Sequence, residues 1–228
     1  DASVGWGQGL GGALYTAALL KRLLPEIADG PYREFAREIT EEVLEKDSLF
    51  DLIFGSAGLL VGLTALQETS PRDELGEALE RTVDRLLAGR SACPRSGHKA
   101  WPTLKGVHLL GASHGACGIA MSLALAARHS KRREEIVEAI REALAHEAAH
   151  YDEKLGGFLD RRQPHPAVTR NWCHGNAGHL AARLRIRESL PELAPELDPV
   201  IDRCAGGLAE FLRENKNQID SVCCGSAG

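Results

Sequence analysis

Gly115-Ala116-Cys117-Gly118, running straight into the small and apolar residues 119–127 (Ile-Ala-Met-Ser-Leu-Ala-Leu-Ala-Ala), decides the fold of this 228-residue chain. The same Gly-x-x-Gly opening stands at 9–12, 55–58, 175–178 and 225–228, so that consecutive copies are 46, 60, 60 and 50 residues apart. Residues 13–24, 59–66 and 179–186 follow their glycines in the same way, rich in Ala and Leu. A helix without a polar face belongs inside a protein, so all four segments are expected as interior helices. Between them lie the longer, charged segments 32–46, 72–88, 131–150 and 196–216. In the third of these, Ile136, Ile140, Ala143 and Leu144 share one helical face, with Lys131, Arg132, Arg133, Glu134 and Glu138 mostly elsewhere, the pattern of a half-exposed helix. Each repeat therefore reads as a hairpin of one inner and one outer helix. No stretch alternates like a strand, and the spacing predicts an all-α toroid or solenoid.

The chain is long enough to bury one core, and 43% apolar residues supply the material for it. Its 27 basic and 32 acidic side chains leave a net charge of −5. No basic stripe with interleaved aromatics occurs, so nucleic acid is not an expected partner. The longest apolar stretch, about residues 57–66, falls far short of the roughly 20 residues that span a bilayer; no transmembrane segment is expected. The chain opens Asp1-Ala2-Ser3, without an initiator Met and without the charged and apolar regions of a secretion signal. It is expected to start inside a longer protein and to be cytoplasmic. Six cysteines in such a setting point to metal or catalysis rather than to a disulfide framework.

The first glycine of each pair is expected to permit a sharp turn or a positive φ, and the second a close approach of neighbouring helices. Closing the units into a ring would gather the inner helix N-termini at one rim, where their dipoles and unpaired N–H groups favour thiolates and other anions. The reactive side chains share that address. Asp51, His114, Cys173, Cys223 and Cys224 stand one to four residues ahead of their own glycine turns. Three thiolates with a fourth position open fit a catalytic zinc ion, so Cys173, Cys223 and Cys224 are the expected metal ligands. His174 is either a ligand in place of one thiol or a hydrogen-bonding neighbour of the site. Cys93, Cys117 and Cys204 read as small buried hydrophobes, and His98, His108, His129, His146, His150, His165 and His179 as structural.

Residues 49–58 (Leu-Phe-Asp-Leu-Ile-Phe-Gly-Ser-Ala-Gly), 111–119 (Gly-Ala-Ser-His-Gly-Ala-Cys-Gly-Ile), Trp172-Cys173-His174-Gly175 and Cys223-Cys224-Gly225 follow, in order, motifs of the lanthionine cyclase family. The resemblance covers essentially the whole chain and is strongest to the C-terminal cyclase domain of class II lanthipeptide synthetases. The family's Cys-His-Gly is here Cys-Cys-Gly, which resembles a three-thiolate, substrate-tolerant branch. The family ring has seven hairpins; this chain shows about five, so 1–228 is expected to be a fragment of one cyclase-like α/α toroid domain.

The resemblance implies a zinc-dependent lanthionine synthetase of lanthipeptide (lantibiotic) biosynthesis. In that reaction a cysteine thiol of a precursor peptide adds to dehydroalanine or dehydrobutyrine. Its implied partners are the dehydrated precursor peptide and a dehydratase domain in the same polypeptide or complex. The chemistry agrees with the residues. A free thiol at pH 7 is only about 3% thiolate, a deficit of roughly 2 kcal/mol that a bound zinc ion removes. A third thiolate ligand adds negative charge, which is expected to keep the substrate sulfur reactive and loosely held. His114 is the expected proton donor to Cα, and Asp51 orients it or accepts the thiol's proton. Trp172 is expected to wall the site, and His174 to steady the metal or the enolate. The same site would serve an enzyme that adds glutathione to dehydrated residues. A zinc-stabilised peptide-binding module, by contrast, would need no proton donor at the rim.

Overall fold

Burial sorts the helices into two layers. The computed structural model describes residues 4–26, 30–160, 162 and 167–214. In chain order its helices are α1 (Leu10–Leu23), α2 (Gly30–Glu38), α3 (Glu41–Glu45), α4 (Ser56–Thr69), α5 (Asp73–Ala88), α6 (Ala116–Ala126), α7 (Arg133–Ala148), α8 (Asn176–Ser189) and α9 (Ala194–Glu214). Apolar residues cover α6 all round, and Ala116 through Ala120 and Ser122 through Ala124 are buried with little distinction of face. In α5, by contrast, Leu75, Ala78, Leu79, Thr82, Val83 and Leu86 are buried along one stripe, each large apolar side chain contributing about 1.5–3 kcal/mol. Asp73 and Glu74 in its first turn and Arg85 in its last match the helix dipole.

The inner helices α1, α4, α6 and α8 each pack on the next in that series, and α5, α7 and α9 fold back onto the inner helix before them. The result is a two-layered arc of helical hairpins, an all-α toroid architecture as the repeat predicts. The segment 32–46 is broken into α2 and α3, because Thr40 caps the second piece by accepting the Val43 N–H at 3.4 Å. Short antiparallel pairings that the sequence does not show also occur. β1 (Ser91–Ala92) pairs with β2 (Lys99–Ala100) before α6, and β3 (Tyr151–Asp152), β4 (Gly157–Asp160) and β5 (Ala167–Val168) form a small sheet before α8. No helix among the described residues is long and apolar enough to cross a membrane.

The glycine pairs work by steric closeness, not by φ. Gly9, Gly55, Gly115 and Gly175 are all extended N-caps, so of the two expected roles for the first glycine, a sharp turn or a positive φ, the positive φ does not occur. The second glycine lets the lead-in loop hook under its own helix: a Cβ at Gly118 would lie 1.9 Å from Ala112 O, and one at Gly178 1.8 Å from Trp172 O. Each hook also fills the helix N–H groups expected to be unpaired, as in Ala57 N to Phe50 O (3.0 Å), Ala116 N to Leu109 O (3.1 Å) and Asn176 N to Thr169 O (3.1 Å). Successive loops are joined by main-chain rungs. Trp6 N donates to Leu52 O (3.0 Å), Leu52 N to Ser113 O (3.2 Å) and Ser113 N to Cys173 O (3.0 Å).

His146, on the last turn of α7, is fully buried, with Nδ1 2.9 Å from Ser96 Oγ and its ring edge-on to His150 at 4.9 Å. Burial pushes this imidazole down to about 4; Glu147 opposes the shift, and His150, His108 and His98 add to it. In the unfolded chain the same ring takes its proton near pH 6.5. The sign follows: stability is full above about pH 6.5 and falls as the pH drops towards about 4, by on the order of 3 kcal/mol. Urea unfolding measured between pH 7 and 4 is expected to show this slope among the contributions of other buried histidines, and His146→Gln to lessen it by its own share, on the order of 3 kcal/mol. An unchanged slope in that variant would assign the acid sensitivity elsewhere.

Candidate functional site

Three consecutive lead-in loops meet at the rim, and the rungs bring their side chains together across the sequence. The loop before α4 is held by Asp47, whose Oδ1 accepts from Leu49 N (2.9 Å) and whose Oδ2 accepts from Ser56 N (2.7 Å). Phe50 adopts a positive φ of 57° there, a conformation that needs surrounding structure to hold it. That structure is the contact of its ring with Gly89 and with the Arg85 guanidinium, 4.7 Å from the ring centroid. The next residue, Asp51, is fully buried, and its Oδ1 accepts the Phe54 N–H at 2.7 Å.

Asp51 Oδ2 lies 2.7 Å from His114 Nδ1. A carboxylate only accepts, so Nδ1 carries the hydrogen and Nε2 is the nitrogen left to exchange a proton. The His114 ring is stacked between Phe54 (centroids 5.5 Å apart) and His174 (5.7 Å), and 15% of its side chain remains exposed. The Thr103 hydroxyl donates to His114 O at 2.7 Å and fixes the backbone. A buried carboxylate and an oriented, partly exposed imidazole are parts from which a general acid or base can be built.

Cys173 is buried beside this pair, its carbonyl accepting from both Ser113 N (3.0 Å) and Ser113 Oγ (3.1 Å). His174 is buried with Nδ1 3.0 Å from Leu110 O and Nε2 3.2 Å from Ser113 Oγ. Both of its ring nitrogens are thus engaged with protein groups, which favours a hydrogen-bonding neighbour over a metal ligand. Burial pushes its imidazole down to about 4, with the nearby Arg162 charge acting in the same direction. Trp172 is partly buried, and its carbonyl abuts Gly178. Cys223 and Cys224 lie outside the described residues. The structure therefore places Asp51, His114, Cys173 and His174 in one neighbourhood, and adds Phe54 and Ser113, which stand within the motifs at 49–58 and 111–119 but are not singled out there.

A second cluster lies beneath the rim. Glu147 on α7 accepts from Gly111 N (3.2 Å) and Cys117 N (3.0 Å) through one oxygen, and its other oxygen is 2.7 Å from His179 Nδ1 on α8. Arg183 Nη1 lies 3.2 Å from Cys117 Sγ and 3.1 Å from His179 Nδ1. Donor atoms of Cys117, Glu147 and His179 fall within 4.8 Å of one another, so this trio could hold a metal ion. Arg183 already supplies a cation there, however, and burial pushes the Cys117 thiol up to about 12, away from the thiolate a metal needs. Burial likewise holds His179 towards its neutral form. In sequence Cys117 reads as a small buried hydrophobe and His179 as structural; the thiol is in fact part of a polar network, and the structural role of His179 lies in the same network. The spelling His146-Glu147-Ala148-Ala149-His150 matches the spacing of zinc-binding helices, but Glu147 turns to α6 and α8, away from any shared site with the two histidines.

A family model described as lanthionine synthetase C-like protein matches residues 3–228. No curated protein matches the chain closely enough to count as a relative.

Proposed function

Because the chain belongs to the lanthionine synthetase C-like family, we propose that it closes thioether rings in a dehydrated precursor peptide, with His114 handling the proton. The observation that carries this reading is the Asp51–His114 pair, set 2.7 Å apart on two different lead-in loops and next to Cys173. A rim that only bound peptide would have no use for an imidazole oriented by a buried carboxylate.

The donor chemistry fits a zinc ion. Cys173 is buried at the rim, and with Cys223 and Cys224 it would hold the metal, which would make an incoming thiol more acidic. The remaining chemistry falls to the chain's own side chains. The peptide thiol gives its proton to His114 Nε2, the sulfur forms its bond to Cβ as the electron pair of the Cα=Cβ double bond moves into the enolate, and the same nitrogen returns that proton to Cα. Asp51 holds Nδ1–H throughout, so only Nε2 faces the reacting carbon. The substrate is supplied by a dehydratase domain, in the same polypeptide or in a complex, that eliminates water from serine and threonine.

Cys173→Ala tests the reading directly. Zinc content, measured on the purified protein, is expected to fall by more than half. A dehydrated peptide with free cysteines is expected to remain fully alkylatable by mass spectrometry, showing open chains. Full zinc with full ring formation in this variant would end the proposal. Glutathione adducts in place of rings would reassign the wild-type reaction to intermolecular thiol addition.

A further inference from the structure

We propose that Glu147 is a positioning residue for His114, acting with His179 and Arg183 as a buried charged strut that clasps the loop between Gly111 and Cys117. This rests on His114 being the proton donor of the reading above.

A single atom closes the clasp. Glu147 Oε1 accepts from both Gly111 N (3.2 Å) and Cys117 N (3.0 Å), the two ends of the loop that carries Ser113 and His114. The Cys117 N–H belongs to the first turn of α6, where it would otherwise lack a partner, and a negative charge at that end suits the helix dipole. Gly111 has a φ of +98°, and a Cβ there would lie 2.7 Å from both Cys173 O and His174 Cα. The loop is therefore wedged against the Cys173 segment, and displacing Gly111 would disturb both halves of the site.

A fully buried carboxylate costs several kcal/mol unless it is paired. Its compensation comes from α8: the Arg183 cation, whose guanidinium sits over the Phe158 ring, 4.9 Å from the centroid, and the polar ring of His179, with Nδ1 2.7 Å from the second carboxylate oxygen. Phe158 in turn stacks on His179 at 3.7 Å. Burial opposes the charge on Glu147, yet His179 and Arg183 keep its ionisation below the usual carboxylate range. Apolar packing of equal volume could be as stable as such a pair. It could not accept two N–H groups six residues apart, and that is what sets where the His114 loop begins and ends.

Three variants of the intact protein separate positioning from bulk stability. Glu147→Gln keeps a carbonyl oxygen that can stay on both N–H groups. Glu147→Leu removes the acceptor at similar volume. Glu147→Asp keeps the charge but falls one methylene short of the loop. Ring closure in the Leu and Asp variants is expected to lose about tenfold to a hundredfold in kcat, with peptide KM and zinc content unchanged, while Gln recovers most of the rate. Amide exchange at Gly111 and Cys117 should quicken in Leu and Asp but not in Gln.

Wild-type kcat in Leu or Asp would overturn the proposal, as would uniform acceleration of exchange through the whole protein or a Gln variant no better than Leu. If Leu does not fold, the Asp variant decides by the same two readouts. If the wild type closes no rings at all, the catalytic reading fails by itself. The clasp is then judged by exchange alone: selective loss at Gly111 and Cys117 upholds it, and unchanged protection removes it.

Discussion

Alanine in place of His114 is expected to slow ring closure by about a hundredfold to ten-thousandfold, in a protein that still folds and still binds zinc. The ring is tied to its surroundings by the Asp51 hydrogen bond and two stacking contacts, and part of it stays open to solvent. Its removal therefore costs little apolar packing, and the buried Asp51 carboxylate, which keeps the Phe54 N–H but loses the imidazole, is expected to take up a proton in its place. On the proposed mechanism the variant loses the nitrogen that would deliver a proton to Cα, and solvent would then protonate the enolate without regard to face. Single-turnover cyclisation of a dehydrated peptide, with chiral analysis of the released lanthionine, reads both consequences. Asp51→Asn is expected to follow His114→Ala in rate, since an amide can present its N–H to Nδ1 and favour the wrong tautomer. Wild-type rates and a single product stereoisomer in His114→Ala would take the acid role away from this residue.

Gly178→Ala is expected to be the most damaging single change to the fold. The added methyl would sit 1.8 Å from Trp172 O and 2.9 Å from Ala112 Cβ, and neither main-chain segment can yield without breaking the hook that starts α8. A cost of roughly 3–5 kcal/mol follows from the mechanisms that produce large single-residue effects, a large share of the stability of an ordinary domain. Gly206→Ala is the matched control. Position 206 lies within α9, with nothing within 4 Å of where a methyl would stand, and alanine there should stabilise by about 0.5–1 kcal/mol. Thermal and urea unfolding of the two variants should move in opposite directions. Equal midpoints would mean that the Gly-x-x-Gly pairs do not act through steric closeness.

The two-layer plan is legible in the sequence because burial leaves a plain mark on composition: α6 is apolar all round, whereas α5 carries one stripe. The gathering of Asp51, His114 and Cys173 is legible from their shared offset to the glycines. Strands of two to four residues are not, since alternation needs a longer run to be distinguished from chance. The glycines mark the helix starts, and the close approach expected at the second one occurs, but against a carbonyl six residues back in its own lead-in loop, a neighbour that leaves no trace in a one-dimensional pattern. The one pattern around Glu147, His146-Glu147-Ala148-Ala149-His150, points to a metal-binding helix and not to the contacts it makes. Glu147 sits among other acidic residues of an outer helix, and its role arises from partners on α6 and α8 and in the lead-in loop, at sequence separations of 30 and 36 residues for its two N–H donors.

The rungs from Trp6 through Leu52 and Ser113 to Cys173 use amides and carbonyls that nearly every amino acid possesses. Registration of the reactive side chains is consequently indifferent to what those side chains are. A lineage can exchange a thiol for an imidazole, or a proton donor for an inert group, and keep the new atom where the old one stood; proline, which has no amide hydrogen to give, is the exception. Catalytic innovation on this scaffold is thereby separated from the risk of losing its geometry.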